Sequence, residues 1–191
     1  MRLLIFGHSY VRDFARTNTF KFQFETSVVK IKYSYYPGVT YRKVLDNPNI
    51  ITDTLLSYKP DFIVCIVGGN SISDDITCAE LCRECKQFYE LIRSISCELI
   101  IIPTQVELRF YKPGNKFHSP TIETFKKKRD SLNRFINKLK TKDHICMIGG
   151  PSRLDHKVFY NSDGVHLNQF GIEKYLSYIN KTIEYILKSR N

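Results

Sequence analysis

The sequence predicts an α/β domain in three layers, with a five-stranded parallel sheet between two layers of helices. Short apolar runs alternate with longer amphipathic stretches. Most of the runs are continuously apolar, as in strands covered on both faces. Glycine or proline follows each run, marking the turn at the strand's end.

Leu3–Phe6 reads as a buried strand ending at Gly7. Val28–Tyr33 alternates like a more exposed strand and stops near Pro37-Gly38. Asp61–Val67 ends at Gly68-Gly69, Leu99–Ile102 ends at Pro103, and His144–Ile148 ends at Gly149-Gly150. Helices lie between them. Leu81, Cys85, Phe88, Ile92 and Ile95 form one stripe at spacings of three and four. Ser119-Pro120 reads as an N-cap followed by proline in the first turn. It opens a helix with Ile122, Phe125, Leu132, Phe135, Ile136 and Leu139 inward. Asn168 caps a last helix with the stripe Ile172, Leu176, Ile179, Ile183 and Ile186. Strands alternating with helices imply right-handed crossovers, and the expected strand order is the flavodoxin-like 2-1-3-4-5.

The length of 191 residues fits one domain spanning 1–191, able to bury a core without metal or disulfide staples. No apolar run reaches the roughly 18 residues needed to span a bilayer. The start is too short for a signal peptide, and the six cysteines are expected as free thiols, so an intracellular, cytoplasmic location is expected. The formal charge of +10 is uneven: residues 1–95 carry 12 basic and 10 acidic side chains, and residues 96–191 carry 17 and 9. Such a basic half fits an anionic partner, RNA or DNA, or simply a solvated surface.

Ligands of open parallel sheets bind at the carboxyl ends of the strands. That rule selects Gly7-His8-Ser9-Tyr10, Tyr36-Pro37-Gly38-Val39, Gly68-Gly69-Asn70-Ser71 and, before the last helix, Asp163-Gly164-Val165-His166. Together these residues fit acyl transfer. A serine at a helix N-terminus can attack, a histidine can take its proton, and a carboxylate can hold the imidazole tautomer. Gly38 lets a backbone N–H approach an oxyanion, and Asn70 offers an amide donor. Each residue also has a plainer reading. Ser9 can cap the following helix, Gly38 and Asn70 can serve turns, and His166 can pair with Asp163 for structure alone.

Four such blocks in this order resemble the SGNH (GDSL-type) hydrolase superfamily, over residues 3 to about 186. The resemblance implies the SGNH hydrolase fold and a serine esterase acting on a small ester without cofactor or metal. It implies Ser9 as nucleophile, His166 as base and Asp163 as its orienting acid. Ser9, Gly38 and Asn70 would form the oxyanion hole. The family has Asp before the serine, where this chain has His8, expected to reverse the hydrogen-bonding role at that position. The Gly-His-Ser variant and the basic charge look like the esterase-type domains of eukaryotic retroelement proteins.

Competing signatures are weaker. Cys78-x₃-Cys82-x₂-Cys85 has a radical S-adenosylmethionine spacing, but Cys85 lies on an apolar helix stripe, where a buried cysteine behaves as a small hydrophobe. Val11 breaks a Gly-x-Ser-x-Gly elbow, and there is no Walker A or Gly-x-Gly-x-x-Gly loop. Lys126, Lys127, Lys128, Arg129, Arg134 and Lys138 make one helix strongly basic. They are expected to face solvent as a candidate nucleic-acid-binding surface, with Arg109, Phe110, Tyr111 and Lys112 nearby in sequence.

Overall fold

The computed structural model describes residues 1–17, 22, 29–96, 98–107, 121–139 and 156–189. Within these, strands β1 (Arg2–Gly7), β2 (Lys30–Tyr35), β3 (Phe62–Ile66) and β4 (Ile100–Pro103) form a parallel sheet in the order β2-β1-β3-β4. This is the expected order for the described strands, and the expected strand 144–148 lies outside the described residues. β2 begins two residues later than the alternation suggested and is an edge strand, only half-buried.

Side chains alternate across the sheet. Leu4, Phe6, Ile63, Cys65 and Ile101 face one layer, formed by α2 (Tyr41–Asp46), α3 (Asn49–Tyr58), α4 (Cys78–Ile95) and α5 (Ile122–Lys138). Leu3, Ile5, Val64, Ile66 and Ile102 face α1 (Ser9–Arg16) and α7 (Gln169–Lys188). A short helix, α6 (His156–Phe159), precedes α7. The period-two alternation thus divides the core into two slabs, and both faces of each inner strand are dry.

The helix signals are mostly where the sequence placed them. Asn168 Oδ1 accepts from Gly171 N at 3.0 Å and caps α7, whose predicted stripe is buried. Thr77 and Glu80 close a capping box on α4. The cap of α5 is Thr121, accepting from Thr124 N at 3.2 Å, two residues after the expected Ser119. Ile122, one residue past that cap, is exposed rather than inward. The helices α2 and α3 are additions to the sequence reading.

Lys128 and Arg129 do not face solvent as expected. Both flank the buried Phe125–Leu132 stripe. Lys128 Nζ donates to the carbonyls of Ser73 and Asp74 at 2.6 and 3.0 Å, and the mostly buried Arg129 pairs with Asp130. Lys126, Lys127, Arg134 and Lys138 are exposed. The segment 109–112 lies outside the described residues. Cys65, Cys78, Cys82 and Cys85 are free, and burial pushes the Cys85 thiol up to about 12. Among the described residues no helix is long and apolar enough to cross a membrane.

Candidate active site

β1 lies between β2 and β3, so the turn after β1 is flanked by the turns after its two neighbours. Gly7 pairs with Tyr35 on one side and Ile66 on the other. Ser9 follows Gly7 by two residues, Gly38 follows Tyr35 by three, and Asn70 follows Ile66 by four. The sheet therefore brings these three segments to one rim. Gly7 is required there by close approach: a Cβ on it would lie 2.2 Å from the Ile66 carbonyl oxygen.

Ser9 is the first residue of α1, and it is not the cap. The cap is the buried His8, whose Nδ1 accepts from Tyr10 N at 3.4 Å. His8 therefore accepts a hydrogen bond at the helix start, the role a capping aspartate would play, and the expected reversal does not occur at this nitrogen. The Ser9 hydroxyl is left for another partner. His166 Nε2 lies 3.1 Å from Ser9 Oγ, and His166 Nδ1 lies 2.7 Å from Asp163 Oδ2.

The second half of this row sits on a closed loop. Tyr160 and Leu167 form an antiparallel bridge, sealed by bonds from Asn161 N to His166 O and from Asn168 N to Phe159 O. Gly164 turns the tip with φ +68°, a value few other residues adopt. Asp163 Oδ1 accepts from Val165 N and His166 N at 2.8 and 2.9 Å. Partial burial pushes the Asp163 carboxyl up, but the bonds from the His166 ring and from the two amides outweigh it and hold the group below the usual carboxylate range. Asp163 is thus an anion at neutral pH. It keeps the proton on Nδ1, and Nε2 presents a lone pair to the Ser9 hydroxyl. Tyr10 ties the two halves together: its hydroxyl donates to Val165 O at 2.6 Å.

Gly38 is exposed, and its carbonyl accepts from Lys43 Nζ at 3.0 Å. Asn70 lies in a single 3₁₀ turn, Gly69–Ser71, held by Tyr41 N donating to Ser71 Oγ at 3.0 Å. Asp163 and His166 also line an open groove of about 490 Å³, together with Arg12 and Arg16 of α1, Asn161 and Gln169. The sequence offers 104–120 and 150–163 as the longest loop candidates at this pocket; of these, residues 108–120 and 150–155 lie outside the described residues.

One titratable group escaped the sequence reading. Glu107, just past β4, is buried, and desolvation pushes its carboxyl up to about 8 against a modest lowering by Arg129. The folded protein thus keeps a proton that the unfolded chain releases above about 4.5. Its stabilising effect is complete below that value and is lost as pH rises towards 8. Glu107→Gln should therefore gain stability on wild type between pH 5 and 8, by on the order of a few kcal/mol, read from urea midpoints at the two pH values.

No family model matches the sequence, and no curated protein matches it. Solved structures do. The chain is similar to a family 3 carbohydrate esterase from Clostridium thermocellum, with TM-score 0.70 and 15% identity over 99% of this chain and 98% of that one. It is similar to a lipase/acylhydrolase from Enterococcus faecalis, with TM-score 0.62 and 21% identity over 96% and 95%. A GDSL-like lipase from Bacteroides thetaiotaomicron gives TM-score 0.59 and 14% identity over 100% and 89%. These likenesses show the fold, a three-layer α/β/α domain shared with esterases and lipases.

Proposed function

We propose that the protein is a serine esterase of the SGNH type. The observation that carries this reading is the row Ser9 Oγ–His166 Nε2–His166 Nδ1–Asp163 Oδ2, with spacings of 3.1 and 2.7 Å, at the strand-end rim. A structural His–Asp pair has no need of a serine on its far nitrogen. The activities named for the similar structures point the same way.

In this reading Ser9 Oγ attacks an ester carbonyl while His166 Nε2 takes its proton, and Asp163 stabilises the imidazolium. The backbone N–H groups of Ser9 and Gly38 and the Asn70 side chain donate to the oxyanion. The imidazolium then gives its proton to the departing alcohol, leaving Ser9 acylated. Water, deprotonated by His166, releases the acid and restores Ser9. The test is turnover of p-nitrophenyl acetate and butyrate by the folded protein. Asn70→Ala should lower kcat by ~10²–10³ with little change in KM, since its donor acts on charge that develops in the transition state. An unchanged kcat would remove Asn70 from the oxyanion hole.

The exposed Lys126, Lys127, Arg134 and Lys138 of α5 favour a second reading, a module that binds RNA or DNA through this face. Binding of single-stranded RNA should then weaken linearly on a log–log plot against salt, and charge removal at these four positions should flatten the slope. No binding at low salt removes this reading.

A further inference from the structure

Gly38 and Asn70 stand on different segments of the rim, one before α2 and one after β3. Val39 N donates to Tyr36 O at 3.1 Å and closes a turn with Gly38 at its third position, φ +64°. This turn is tied to α2, because Lys43 Nζ donates to Gly38 O. The helix is fixed to α4 in its turn by Arg42, whose Nε donates to the buried Glu84 at 2.9 Å. On the other segment, Ser71 N donates to Gly68 O at 3.0 Å and closes the 3₁₀ turn that carries Asn70.

Tyr41 joins the two segments. It is the first residue of α2, where a backbone N–H has no partner within its own helix. The cap does not serve it, since Thr40 Oγ1 accepts from Lys43 N. Tyr41 N donates instead to Ser71 Oγ at 3.0 Å, across 30 residues of chain. The Tyr41 side chain is fully buried and reaches the other end of the same segment, where its hydroxyl donates to Val67 O at 3.3 Å. Burial pushes this phenol well above its ordinary value, so it stays protonated as a donor. Gly68 makes room for it: its φ is +115°, and a Cβ there would lie 2.8 Å from the Tyr41 hydroxyl. One residue thus grips 67–71 at both ends. Ser71 is buried, so removing its hydroxyl leaves a buried N–H unpaired, a cost the segment relieves by moving.

We propose that Ser71 and Tyr41 are positioning residues: together they fix the Asn70 turn at its distance from the Gly38 turn and so hold these two oxyanion donors in register. The tether between the segments stands on the hydrogen bonds. Only its effect on chemistry rests on the esterase reading. Losing the tether misplaces the Asn70 donor without removing it, so the cost falls below the ~10²–10³ expected of Asn70→Ala.

The experiment compares full-chain wild type, Ser71→Ala, Asn70→Ala and the double variant, with kcat and KM for p-nitrophenyl acetate and a urea midpoint for each. Ser71→Ala should lower kcat about 10–100-fold at unchanged KM, the scale of a small misplacement of a reacting group. In the Asn70→Ala background the same change should cost less than about threefold, because the donor it positions is gone. An equal cost in both backgrounds overturns the proposal, since a purely structural loss acts on both alike. So does a Ser71→Ala variant with wild-type kcat. Amide hydrogen exchange of Tyr41 in wild type needs no variant. Its N–H should exchange at least about 100-fold more slowly than in an unstructured chain. Exchange at the unstructured rate overturns the tether, whether or not the variants fold. If wild type hydrolyses no ester, the esterase reading fails, and the Tyr41 exchange still decides whether the tether exists.

Discussion

Ser9→Ala should abolish ester hydrolysis, lowering kcat by about 10⁵–10⁶-fold, the scale seen when a serine nucleophile that works as a unit with its base is removed. The structure makes this substitution easy to interpret. Serine is a common N-cap, and removal of a cap costs ~1 kcal/mol of stability. Here the cap is the His8 ring, and Ser9 occupies the first helical position, where alanine is a good helix former. Stability should therefore stay within about 0.5 kcal/mol of wild type. Loss of activity without loss of stability, read from kcat and a urea midpoint on the same sample, separates a chemical role from a structural one. If Ser9 only served the fold, the pattern would be the reverse.

Asp163→Asn should cost about 10⁴-fold in kcat while leaving the loop intact. Asp163 Oδ1 accepts from two backbone amides, Val165 N and His166 N, and Oδ2 accepts from His166 Nδ1. An asparagine keeps the two amide bonds only by placing its carbonyl oxygen at the Oδ1 position. Its NH₂ then faces His166 Nδ1, which must become an acceptor, so the ring proton moves to Nε2. That nitrogen would donate towards Ser9 Oγ and could no longer take its proton. The expected signature is a collapsed kcat with a stable fold and a His166 tautomer reversed relative to wild type. Wild-type turnover in Asp163→Asn would mean that His166 does not act through Nε2.

The placement of Ser9, Asp163 and His166 was largely legible in the sequence because it depends on local spacing. A serine two residues past a buried strand reaches the rim, and an aspartate three residues before a histidine can share one turn with it. The four described strands were legible for a similar reason, since Leu3–Phe6 and Phe62–Ile66 are too uniformly apolar to be anything but covered on both faces. Less visible features depend on the tertiary structure. Histidine is not a common helix cap, so the role of His8 depended on where its ring points. The α3 segment is rich in β-branched residues, and only Ile51 and Leu55 mark its buried face, too few to read as a stripe. Lys128 looks like one more surface cation until the carbonyls of Ser73 and Asp74 arrive from another loop. Glu107 carries no sequence signal of burial. Its environment is assembled from β3, β4, α1, α5 and α7, which come together only in the fold.

Mass-spectrometric mapping of the protein after reaction with a fluorophosphonate tests the nucleophile assignment most directly. The expected result is a single adduct on the peptide containing Ser9, absent in Ser9→Ala and formed far more slowly in Asp163→Asn. A folded wild-type protein that forms no adduct, or forms one on another residue, would contradict it.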